Sequence, residues 1–181
     1  MPPYLPGSYR GIGTESRLRR RCLAIDREPS RLDHPDTNAR SVGPMATRAD
    51  FEVSWGDLDP AAIVFYPHFF AWADAAAHRL FRKLGSPMDA LLVKERISFG
   101  LVACSAQFHS PARQGDRLRC RTTVAKIGTA SLELEHVFRV GRRAVATVRE
   151  VRVCMDLSDP KALAARELPT RVRKGLAASK R

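Results

Sequence analysis

The sequence predicts an α+β fold in which an antiparallel sheet wraps around one long central helix. Three observations carry that expectation: a short alternating run, a single long helical period after it, and then four strand-like runs joined by brief turns. One helix set among consecutive strands can bury its apolar stripe by lying in the concave face of a curved antiparallel sheet.

The first strand is read from residues 49–55, where Phe51, Val53 and Trp55 alternate with Asp50, Glu52 and Ser54. The helix follows at Pro67, a residue suited to a first helical turn. Phe69, Ala73, Ala76, Leu80 and Leu84 then recur at helical spacing until Gly85 and Pro87 close it. Residues 88–96 give no clear period. Strands are expected over 97–109, 116–127, 131–140 and 144–156, joined by "SPARQGD", "GTA" and "GRR".

This assigns residues 48–158 to one domain, with a basic, disordered N-terminal extension at 1–47 and a basic C-terminal tail at 159–181. The extension is rich in Pro, Gly, Arg, Ser and Asp, and Met45 offers an alternative start to translation. Its "GIG", Gly11 to Gly13, has no strand before it or helix after it, so a dinucleotide loop is discarded.

The 181 residues carry a net charge of +12 and 44% hydrophobic residues, enough for one compact domain. Much of the charge lies in the two flanking segments, as at Arg17, Arg19, Arg20 and Arg21 and at Lys161, Arg166, Arg171, Arg173, Lys174, Lys180 and Arg181. Solvated tails explain it without a nucleic-acid partner, although a phosphate-bearing substrate would also suit a basic protein. Apolar runs stop short of a membrane span. The four cysteines, Cys22, Cys104, Cys120 and Cys154, form no CxxC pair, so reduced thiols in a cytoplasmic protein with no metal site are expected. No serine-hydrolase elbow or P-loop is present.

The chemistry concentrates in "WGDLDPAAIVFYPHFFAWADAA". Pro60 ends strand pairing and biases Asp59 toward a turn, so Asp59 is displayed at the strand's end while Asp57 serves the turn. The apolar residues that follow lead into a helix N-terminus, whose free amides can polarise a carbonyl oxygen. A carboxylate, an apolar wall and an amide donor are the minimum apparatus for hydrolysing an activated acyl group.

The segment resembles the signature G-D-x-D-P-A-G-I-V-x-Y-P of hotdog-fold acyl-CoA thioesterases of the 4-hydroxybenzoyl-CoA thioesterase class, and "SPARQGD" resembles a turn between their strands. The resemblance spans residues 49–156. It implies that Asp59 is the catalytic carboxylate, attacking the thioester or activating a water, and that the Tyr66 backbone N–H binds the thioester oxygen. Coenzyme A enters as part of the acyl-CoA substrate, with no other cofactor, and sites between subunits imply a homodimer or homotetramer. Ala62 departs from the pattern, which has glycine there.

Substrate contacts are expected from His68, in the first helical turn, and from Arg113, for the phosphates of coenzyme A. Cys104 and His109 are five apart and face opposite sides of a regular strand, so they do not form a thiol–imidazole pair. Two other readings are a non-catalytic acyl-CoA-binding module and an RNA-binding basic protein. The aromatics cluster at the helix start rather than on a stacking platform, which disfavours RNA readout. A dehydratase would rest on His68 alone.

Overall fold

The computed structural model describes residues 46–159 and 161–177. The extension expected at 1–47, with its "GIG", Cys22 and Met45, lies outside them except for its last two residues. Strand β1, Ala46–Glu52, is followed by a 3-10 turn at Trp55–Asp57 and by helix α1, Pro67–Lys83. A shorter helix α2, Met88–Glu95, precedes four long strands: β2 Ile97–Phe108, β3 Arg117–Ile127, β4 Ser131–Val140 and β5 Arg143–Asp156. The two-residue β6, Ala164–Ala165, and helix α3, Thr170–Ala177, complete the described chain.

All strand pairings are antiparallel, in the order β1-β3-β4-β5-β2, with β6 on the last residues of β5. Alternation decides which side each strand buries. Leu118, Cys120, Thr122 and Val124 on β3, and Leu132, Leu134, His136 and Phe138 on β4, all face inward and are buried. Helix α1 lies against that face through Phe69, Ala73, Ala76, Ala77, Leu80 and Phe81. Its alanines let the helix axis approach the sheet closely. This is the hotdog arrangement that the element order predicts.

Three expectations need correction. The first strand sits three residues earlier than its pattern suggested, and Trp55 is 78% exposed rather than on the buried side. Asp57 and Ser54 form a reciprocal capping box that turns the chain and ends the alternation at Val53. Residues 88–96, which showed no period, form α2, with Met88 and Leu91 buried; Arg96 ends it in the left-handed conformation at φ 54°.

The third correction concerns the C-terminal tail. The packed body continues past 158, because Leu168, Val172 and Leu176 sit in the core beside Leu80 and Phe81. Their spacing of four and four is an amphipathic stripe that the basic composition disguised. Arg173 donates to the carbonyls of Gly128 and Thr129, and the exposed Arg171 pairs with Glu95, so these two cations have partners on the folded body. Among the described residues, no helix is long and apolar enough to cross a membrane.

Candidate active site

The stretch between β1 and α1 folds into a small hairpin. Leu58 and Val64 bridge each other, Asp59 N–H donates to Ile63 O at 2.8 Å, and Ala62 N–H donates to Asp59 O at 2.9 Å. Ala62 closes the turn at φ 55°, in the left-handed region that favours glycine. That explains why a related sequence would carry glycine there; here an alanine holds the same left-handed conformation.

The turn aims the Asp59 carboxylate. Oδ1 accepts the Ala61 N–H at 2.8 Å and the Ile63 N–H at 3.4 Å. Oδ2 has no hydrogen bond among the described residues, so one oxygen orients the group and the other stays available. Asp57 is spent differently. Its Oδ2 accepts from the Ser54 N–H at 2.8 Å and the Ser54 hydroxyl at 2.7 Å, and its Oδ1 lies 3.5 Å from His68 Nδ1.

At the start of α1 the open donors reduce to one. Pro67 carries no N–H, His68 N–H donates to Phe65 O at 3.0 Å, and Phe69 N–H to Tyr66 O at 3.1 Å. Val64 N–H reaches Ala112 O and Phe65 N–H reaches Asp57 O. The Tyr66 N–H is left without an acceptor among the described residues, at the positive end of the helix dipole.

Asp59 and Tyr66 share a cleft of about 650 Å³ whose walls include Ile63, Val64, Phe69 and Phe108, with Arg113 on its border. The "SPARQGD" loop forms that border and is well anchored. Val64 N–H ties it to the hairpin, Gly115 turns at φ 79°, and Arg143 Nη2 donates to Asp116 Oδ2 at 3.0 Å while its Nη1 reaches Ser110 Oγ and the Pro111 carbonyl. Among the described residues the Arg113 guanidinium itself makes only a 3.5 Å contact with the Ala62 carbonyl.

His68 does not join this group. Its ring packs 5.9 Å from Trp72 and faces Asp57, and it is not among the residues that line this cleft. Cys104 and His109 also stay apart. Cys104 pairs in register with inward-facing Glu150, whereas His109 Nε2 bonds the Thr147 hydroxyl at 3.0 Å. Burial pushes the thiol of Cys120 up to about 12 and that of Cys154 up to about 11, which keeps both protonated. A second concavity of about 440 Å³, beside β1 and β3, holds Asp50 and Arg119, but that carboxylate is already paired at 3.2 Å.

The sequence of the matched region agrees with this geometry. Residues 53–176 match the profile of the thioesterase-like superfamily. The chain belongs to that superfamily. A 4-hydroxybenzoyl-CoA thioesterase from Pseudomonas sp. strain CBS-3 is 36% identical over 100 residues, which are 54% of this chain and 67% of the relative. The structure of a gentisyl-coenzyme A thioesterase superposes with a TM-score of 0.63 at 32% identity, covering 72% of this chain and 98% of the other. A mutant 4-hydroxybenzoyl-CoA thioesterase complexed with 4-hydroxybenzoyl-CoA gives 0.68 at 27% identity, covering 73% and 99%. The thioesterase assignment and the hotdog fold drawn from the signature are met at the level of family and architecture.

Sequence reading missed one group of polar residues. His136 on β4 and Glu150 and Arg152 on β5 come together inside the core, and Arg152 reaches out to Asp74 on the surface of α1. The signal was strand parity: Glu150 and Arg152 occupy the same face as Val148 and Cys154, and His136 the same face as Leu134 and Phe138.

Proposed function

We propose that this chain hydrolyses an acyl-CoA thioester to the free acid and coenzyme A, with Asp59 as the reacting carboxylate and the Tyr66 N–H as the oxyanion donor. The observation that carries the reading is their meeting in one apolar cleft, each with a free valence: Oδ2 on the carboxylate, an unpaired N–H on the helix. Asp59 attacks the thioester carbonyl, or takes a proton from a water that does. Either way negative charge grows on the carbonyl oxygen, where a preorganised amide at a helix N-terminus is most effective. Collapse of that intermediate breaks the C–S bond and releases the thiolate of coenzyme A. In the covalent route, water then cleaves the acyl–Asp59 anhydride to regenerate the carboxylate.

The substrate class is an aromatic acyl-CoA such as 4-hydroxybenzoyl-CoA, because both relatives of highest quoted identity are named for aromatic acyl groups and Phe69 and Phe108 line the cleft. Arg113 meets a phosphate or the pantetheine arm at the border. His68 acts through Asp57, holding the turn that precedes the hairpin. The active assembly is a homodimer or homotetramer: β2 is an edge strand on which Leu101, Val102 and Phe108 are about half exposed, a surface suited to strand pairing with a second copy.

Thiol release from a panel of aromatic and aliphatic acyl-CoAs tests the reading, with light scattering on the same preparation for subunit number. Turnover of an aromatic acyl-CoA above the aliphatic ones supports it. Failure to turn over any thioester would leave a binding module.

A further inference from the structure

The core has two apolar halves, and a charged chain that the hydrolysis does not use runs between them. Leu80, Phe81 and Leu134 belong to one half; Phe69, Ala73 and Phe138 belong to the other. At the boundary, Thr122 Oγ1 lies 2.9 Å from His136 Nδ1, and His136 Nε2 lies 3.4 Å from Glu150 Oε2. The latter is an ion-pair distance without hydrogen-bond geometry, which leaves Nε2 buried and unbonded. Arg152 Nε donates to the same Oε2 at 2.8 Å, and its Nη2 donates to Asp74 Oδ1 at 2.7 Å. His136, Glu150 and Arg152 are all buried, while Asp74 reaches the surface of α1.

Buried ion pairs of this kind give a fold no more stability than apolar residues of similar volume. What they supply is direction. At this level the α1 face that meets the sheet is made of Ala73, Ala76 and Ala77, which permit close approach and interlock little, the large side chains of that face, Phe69, Leu80 and Phe81, lying a turn away on either side. The Arg152–Asp74 bond is the directional tie between sheet and helix at that point. Fixing register is the best-attested use of a buried polar group.

We infer that His136, Glu150 and Arg152 form a registry clamp which, through Asp74, sets the axial position of α1 and hence the distance from the Tyr66 N–H to Asp59. The link to catalysis rests on the hydrolytic reading above. Asp74 lies about 12 Å along the helix from Tyr66 at the standard rise, so an axial slip at Asp74 is carried to the amide. The Asp59 hairpin is tied instead to the loop before β3 by the bond from Val64 to Ala112, and so follows the sheet. Misplacement by about 1 Å at a reacting centre costs on the order of 100-fold in rate.

The test replaces the clamp by apolar residues of similar size, His136→Phe with Glu150→Leu and Arg152→Met. Two readouts are taken. The first is a spin-label distance between Ala71→Cys on α1 and Ala125→Cys on β3, both exposed, in a background carrying Cys22→Ser and Cys104→Ser. The second is kcat and KM on 4-hydroxybenzoyl-CoA. The clamp predicts a shifted or broadened distance, a fall in kcat of about 100-fold and a KM within about threefold of the parent. An unchanged distance overturns the clamp, and a shifted distance with parental kcat overturns its link to the amide. If the triple variant does not fold, Arg152→Lys decides on the same two readouts: a shift with about tenfold lower kcat supports the clamp, and parental values overturn it. If the parent hydrolyses no thioester, the hydrolytic reading fails, and the distance alone still decides whether the clamp exists.

Discussion

Two carboxylates in this protein contrast a charge that holds the fold with the charge proposed to react. Glu150 lies in the core with Arg152 donating to it at 2.8 Å and the His136 ring 3.4 Å away. Burial alone would raise its pKa, but the contacts with His136 and Arg152 overcome that and hold it below the ordinary carboxylate range. Asp59 lies at the edge of a cleft, with one oxygen held by two amides and the other free. A carboxylate taken up by neighbouring side chains away from the cleft holds structure together, whereas one that is oriented at the cleft with an oxygen free can attack, or take a proton. Asp57, two residues from Asp59, belongs with Glu150 in this respect, since Ser54 and His68 occupy it.

The comparison can be broken first at Glu150. Glu150→Ala leaves the Arg152 charge buried with only Asp74 to meet it, and a loss of about 3–5 kcal/mol in unfolding free energy is expected by denaturant titration. The sign with pH follows from the lowered pKa. The stability contributed by Glu150 is present above the unfolded value of about 4.3 and is lost as pH falls through the lower folded value. Glu150→Gln therefore flattens the acid limb of a melting-temperature profile.

Next comes the amide. Tyr66 has φ −52°, which proline can adopt, so Tyr66→Pro removes the N–H while leaving φ in place. A fall of about 100-fold or more in kcat is expected, the scale of losing one oxyanion donor, whereas Tyr66→Phe stays near the parent because only the main chain acts. Retained helicity by circular dichroism separates this loss from unfolding.

Arg113→Ala tests the border of the cleft. Loss of one charge-assisted contact raises KM about tenfold for the acyl-CoA and leaves a truncated thioester without phosphates unaffected. The smallest effect belongs to Ala62→Gly, which relieves a left-handed alanine and gains about 0.5–1 kcal/mol, read as a small rise in melting temperature.

Much of the fold was legible because the chain states its periods plainly. The Ala-rich stripe of α1 ends where Gly85, at φ 67°, permits, and the strand ends of β3, β4 and β5 fall within a residue of the turn signals. The turn that displays Asp59 was legible because proline and an apolar run frame it, whereas the Tyr66 amide was singled out only through the resemblance to the thioesterase signature. Three things were not. Trp55 left the alternation through a side-chain capping box that a period cannot register. The stripe of Leu168, Val172 and Leu176 was hidden by the arginines between them, which turn out to bind Glu95 and two carbonyls. The ionic chain joins residues up to 78 positions apart, Asp74 to Arg152, and only the folded sheet brings them together.

The central claim is that Asp59, and not its neighbour Asp57, carries the reaction. Its most direct measurement is the rate of thiol release from 4-hydroxybenzoyl-CoA by Asp59→Asn and Asp57→Asn, beside the parent at equal folded concentration. The account predicts a fall of about 1,000-fold in kcat for Asp59→Asn with an unchanged melting temperature, and less than about tenfold for Asp57→Asn. Parental turnover by Asp59→Asn would contradict it.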